Sequence, residues 1–150
     1  MRRVVVTGIG LVTPLGTGKE KTWKALINGE CGIEKITAFD TTEHSVHIAA
    51  EVKDFNPEDF IEKKELKKLG RFSQFAIAAS KEALEDSGFE ITEENAERVG
   101  TIIGSGIGGL DVIEQEVGKL IERGPKKVSP FYIPAAILNM ASGKKNIYTP

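Results

Sequence analysis

Gly104, Gly106 and Gly109 form a G-x-G-x-x-G pattern between an apolar run, Gly100 to Ile103, and an amphipathic segment that opens at Leu110. Strand, glycine loop and helix in that order is the setting in which backbone N–H groups hold a dinucleotide pyrophosphate. The same fingerprint wants an acidic residue roughly 20 positions later, at the end of the next strand, to bind the ribose hydroxyls. Here that region reads Glu122-Arg-Gly-Pro-Lys-Lys-Val-Ser-Pro130, with its acid on a helix end and two prolines opposing a regular strand. A second pattern, Gly8-Ile-Gly10-Leu-Val-Thr13, ends in threonine and reads as a tight turn between strand and helix. No G-x-x-x-x-G-K-[ST] phosphate loop occurs. The glycine loop therefore calls for another ligand, with dinucleotide binding kept as an alternative.

Nucleophiles and metal ligands are sparse. Cys31 is the single cysteine, so no intrachain disulfide can form, and the neighbouring Glu30 carboxylate disfavours a thiolate. His44 and His47 have an odd separation, which puts them on opposite faces of an extended segment. No metal site and no cofactor is expected from these residues.

Charge is uneven along the chain. Lys63, Lys64, Lys67, Lys68 and Arg71 fall close together, and Lys126 and Lys127 form a second basic pair. Such runs are commonly solvated faces, and a formal net charge of -2 argues against bulk nucleic-acid affinity. With 150 residues, 40% hydrophobic and 28% charged, the chain is composed like one ordinary globular domain. It has no apolar run of about 18 residues and no cleavable leader pattern at its start, so no membrane insertion is expected and the default address is the cytoplasm.

The elements that must position these groups follow from periodicity. Arg3 to Ile9 is a β-branched run suited to a strand buried on both faces. Thr17 to Glu20 has capping-box spacing ahead of an apolar face of Trp23, Leu26 and Ile27 that stops at Gly29. Ser45 to Val52 predicts a second strand, and Asn56-Pro57 opens a short helix before the lysines. Phe72, Ala76, Ala79 and Ala83 predict a helix over 71–87 that packs closely on another element, with Gly88 at its end. Arg98 to Ile103 predicts a third strand, and Leu110, Ile113, Val117 and Leu120 a helix ending by Gly124. The alternation argues for a layered α/β fold.

Taken together, the stretches RRVVVTGIGLVTPLG, TWKALINGECGI, VKDFNPEDFI, ALEDSGFEITEENAERVGTIIGSGIGGL and GPKKVSPFYIPAAILNMASG closely resemble the N-terminal part of the β-ketoacyl-[acyl-carrier-protein] synthase II family. These are the condensing enzymes of bacterial fatty-acid elongation. The resemblance runs over about residues 2 to 143 and fades from there to Pro150, so the chain reads as an incomplete N-terminal ketosynthase domain over residues 1–150. It implies the thiolase-like fold, an α/β architecture duplicated in the complete family, which works as a homodimer on chains carried by acyl carrier protein.

By that resemblance Gly106 and Ile107 line the acyl-chain pocket, Ile107 at the gating position, with Phe131 and Ile133 near its far end and the dimer interface. Glycine lets backbone approach a ligand closely, and an aliphatic side chain beside it can cap an apolar tunnel by changing rotamer. Lys64, Lys67 and Lys68, and the pair Lys126 and Lys127, match basic contacts to the acidic carrier protein. Positive charge at a tunnel mouth would steer such a partner into register.

The family's chemistry is a decarboxylative Claisen condensation of malonyl-carrier protein with an enzyme-bound acyl group. It needs a cysteine thiolate, two histidines and backbone oxyanion donors. These normally lie downstream of the matched portion, so the resemblance implies that this chain alone is inactive. A noncatalytic carrier-protein-binding module is the other reading of the same motifs. A layered sheet without its remaining strands would also expose apolar surface, so poor autonomous stability or association is expected.

Overall fold

The structure, a computed structural model, is described over residues 2–143. The expected fading of the resemblance after Gly143 falls on residues outside the described ones. From the N-terminus, β1 (Val12–Thr13) and β2 (Gly16–Thr17) form a small antiparallel hairpin leading into α1 (Lys19–Ile27). β3 (Ile33–Lys35) pairs antiparallel with β4 (Ile48–Ala50), Ile33 opposite Ala50 and Lys35 opposite Ile48. A 3-10 turn at Pro57–Asp59, with the Asn56 side chain accepting the Glu58 N–H at 3.3 Å, precedes α2 (Lys63–Leu66). The long α3 (Arg71–Ser87) is followed by α4 (Leu110–Arg123) and the short α5 (Tyr132–Ala136).

The predicted boundaries of α3 and α4 agree with the structure. α3 ends where Gly88 turns left-handed at φ 61°, and α4 ends at Gly124, whose N–H donates to Leu120 O. The buried stripe of α3 is Ser73, Ile77 and Ala78 rather than the predicted alanine series. Ile77 joins Ile61 and Leu69 in the core, with Phe60, Leu66 and Ile103 packed around them. The alanines do meet another element, because the N-terminal chain runs over them. A Cβ built on Gly10 would stand 1.9 Å from Ala79 O, and one on Gly8 would stand 2.1 Å from Ala83 O. Gly8 and Gly10 are thus close-approach residues, and the turn is made further on, by the β1–β2 hairpin.

Two expectations are corrected. Arg3 to Ile9 forms no ladder among the described residues, and Val4 and Val6 are 93% and 82% exposed. Arg98 to Ile103 forms none either, although Ile103 packs on the core while Ile102 points out. Both runs carry strand-forming residues, but a strand is defined by neighbours that complete its hydrogen bonds, and neither run has one here. The predicted capping box is also replaced. Gly18 is the N-cap of α1 and supplies no side chain, so Glu82 on α3 accepts the Lys19 N–H at 2.6 Å in its place.

Candidate functional site

The glycine loop is anchored at its helix end. Ser105 Oγ accepts the Gly108 N–H at 3.2 Å, and Gly109 N–H donates to Ala136 O at 3.0 Å. Gly108 sits at φ 82°, and a Cβ there would lie 2.7 Å from Ala136 O, so only glycine fits this contact with α5 without strain. Gly104 and Gly106 face open space, and Ile107 is 63% exposed. This arrangement disfavours a pyrophosphate cradle. The Gly108 and Gly109 amides, which lead into α4, are already spent within the protein, and Asp111 places negative charge in the first helical turn.

Phe131 and Ile133 lie at the start of α5, both exposed. Their segment is held from behind by α4. Buried Glu116 accepts the Ser129 N–H at 2.7 Å through one oxygen and pairs with Lys119 at 2.6 Å through the other. The Lys119 ammonium, then the Ser129 N–H, hold the Glu116 carboxyl below the usual carboxylate range. Ser129 Oγ in turn accepts the Phe131 N–H at 3.1 Å.

The basic residues divide into two groups. Lys64 pairs with Glu62 and Lys68 with Glu65, each at 2.6 Å, while Lys67, Lys126 and Lys127 are exposed and make no ion pair among the described residues. Lys68 Nζ also stands 5.9 Å from the centroid of the Phe131 ring, within cation–π range. Gly70, just past the lysines, abuts Ala135 O, where a Cβ would come within 2.4 Å. One short helix, α5, which carries the aromatic segment at its start, thereby gathers two sequence-distant parts: the glycine loop and the end of the lysine turn. Buried Ala135 and Ala136 permit that approach. Sequence reasoning missed this pair and Glu116, although an Ala-Ala doublet in an apolar segment is a signal for close backbone contact.

Other candidates stand apart. Cys31 is exposed and only approaches Ile33 O, at 3.9 Å. His44 packs edge-on against Phe39, and His47 Nδ1 lies 3.3 Å from Thr41 Oγ1. Among the described residues no group of three or more His, Cys, Asp or Glu side chains could hold a metal ion, and no helix is long and apolar enough to cross a membrane. Two open depressions, of about 730 Å³ beside Thr41 and His47 and about 390 Å³ beside Leu11 and Lys81, include none of Gly106, Ile107, Phe131 or Ile133.

This arrangement of helices and hairpins has known counterparts. A ketosynthase/chain length factor pair for ishigamide superposes with a TM-score of 0.81 at 30% identity, covering 99% of this chain and 38% of that one. A type II PKS acyl-carrier protein in complex with its ketosynthase matches with a TM-score of 0.75 at 26% identity, over 95% of this chain and 37% of that one. The fold is therefore that of the thiolase-like ketosynthases, in their N-terminal part. The family model for the β-ketoacyl synthase N-terminal domain matches residues 1–148, and the chain belongs to that family. Its curated relatives include the 3-oxoacyl-[acyl-carrier-protein] synthase 2 of Vibrio harveyi, 53% identical over 146 residues. That match takes in 97% of this chain but 35% of the relative, so the chain spans about a third of the length of the curated relatives it matches.

Proposed function

We propose that the chain serves as the N-terminal part of a 3-oxoacyl-[acyl-carrier-protein] synthase that elongates fatty acids by decarboxylative condensation of malonyl-carrier protein with an enzyme-bound acyl group. The observation that carries this reading is the similarity to 3-oxoacyl-[acyl-carrier-protein] synthase 2 over 97% of the chain. The contact between Lys68 and the Phe131 ring supports it, since it joins the basic run to the apolar segment in one surface.

In this reading Gly106 and Ile107, with Phe131 and Ile133, meet the acyl chain. Lys64, Lys67, Lys68, Lys126 and Lys127 meet acyl carrier protein. The solved ketosynthase complexed with an acyl-carrier protein supports that partner. The working assembly is a homodimer in the cytoplasm and uses no cofactor. By itself the chain does not condense: among the described residues Cys31 makes no hydrogen bond to a histidine that could activate it, and in this reading the nucleophile and its histidines are supplied by sequence outside these residues.

The intact mass of the protein from its native source tests the reading. A mass well above 16.3 kDa, with condensing activity, supports it. A mass matching these residues, with carrier-protein binding and no condensation, replaces it with a noncatalytic carrier-binding module.

A further inference from the structure

Glu116 is the one buried ionisable side chain among the described residues, 6% exposed, and the chemistry above gives it no part. An i, i+3 pair with Lys119 would need only one carboxylate oxygen and would ordinarily sit in solvent. Here the second oxygen reaches off α4 to the Ser129 N–H at 2.7 Å. Ser129 Oγ passes the connection to the Phe131 N–H at 3.1 Å, and the Phe131 ring meets Lys68 at 5.9 Å.

We propose that Glu116 is a positioning residue: through Ser129 it fixes the start of α5 and with it the Phe131 side of the acyl-chain site. The proposal rests on the reading of Phe131 and Ile133 as acyl-chain contacts. A buried carboxylate suits the task because a charged acceptor makes a shorter and stronger bond to a backbone N–H than a neutral one. It also has two oxygens, so the Lys119 ammonium that compensates its charge does not compete with Ser129 for the same atom.

The test compares affinity for acyl carrier protein without an acyl group and carrying palmitoyl, in the protein as its native source makes it and in Glu116→Ala, Glu116→Gln and Ser129→Ala. In the unaltered protein the palmitoyl group raises affinity. Glu116→Ala removes the charged acceptor of the Ser129 N–H and reduces that gain about tenfold, and Ser129→Ala, which removes the hydroxyl that accepts the Phe131 N–H, reduces it about fivefold, the scales of one charge-assisted and one neutral hydrogen bond. Glu116→Gln keeps an acceptor for Ser129 and retains most of the gain. Affinity for the unloaded carrier, set by the lysines, stays the same in all four. Ser129→Ala leaves Glu116 paired with Lys119 and the Ser129 N–H and breaks the next link, to Phe131, so the route from Glu116 is tested even where Glu116→Ala fails to fold. No palmitoyl gain in the unaltered protein removes Phe131 and Ile133 from the site, and the proposal falls with them. A gain that survives undiminished in both alanine variants overturns the role of Glu116 alone.

Discussion

Glu82 on α3 accepts the backbone N–H of Leu11 at 2.7 Å, across 71 positions of sequence. Its other oxygen takes the Lys19 N–H, so one side chain ties the N-terminal chain and the start of α1 to the central helix. One turn later Asp86 accepts the Ile9 N–H at 2.9 Å and pairs with Lys19. Glu82→Ala leaves two amides without their acceptor, at a cost of about 1–3 kcal/mol for a partly buried donor. Hydrogen exchange at Leu11 and Lys19 is expected to accelerate at least about tenfold, with amides in the second half of α4 unaffected. Equal acceleration at both places would mean that Glu82 supports the whole fold rather than this junction.

Acid acts on the same junction. The Lys19 ammonium, then the Ile9 N–H, lower the Asp86 carboxyl below its ordinary 3.8. A depressed carboxylate contributes stability that is complete above the ordinary value and disappears as pH falls through the folded one. The attachment of the N-terminal chain is therefore constant from neutral pH to about 4 and loosens below that. Asp86→Asn is expected to flatten the pH dependence of Ile9 exchange. A midpoint above 4 for the Asp86 carboxyl, followed by NMR, would contradict the assignment.

Charge reversal of Lys67 and Lys68 to Glu is expected to weaken carrier-protein binding by about tenfold or more at low ionic strength, and far less near 1 M salt, where the screening length is about 3 Å. Lys67 makes no ion pair among the described residues, whereas Lys68 already pairs with Glu65. Lys67→Glu alone should therefore account for most of the loss. Titration by calorimetry at two salt concentrations reads this directly, and unchanged affinity would remove the lysines from the interface.

The isolated chain is expected to associate rather than melt as a monomer. Val4, Val6 and Ile102 are 93%, 82% and 99% exposed, and Trp23, Ile27 and Ile121 add further apolar surface. Unpaired extended runs of that composition favour edge-to-edge contact. Sedimentation across a concentration series should show growing mass, with a broad thermal transition. A sharp two-state melt of a monomer would contradict this expectation.

The sequence by itself determined the elements whose information is local. The apolar spacing and terminal Gly88 placed α3 at Arg71–Ser87, because a helix satisfies its own backbone hydrogen bonds. Family membership was legible as well, since it rests on long ordered stretches rather than on any one contact. Burial of the 3–9 run, and its ladder, was not legible, because strand residues specify a readiness to pair and not the presence of a partner. Nor did spacing show that Gly8 and Gly10 serve close approach to α3 instead of a turn, that Glu82 replaces the expected cap of α1, or that Ala135 and Ala136 draw the glycine loop and the lysine turn onto one helix. Those are contacts between residues tens of positions apart. Only the tertiary structure decides which backbone atoms arrive beside one another, and therefore which side chains must be small and which must carry a charge.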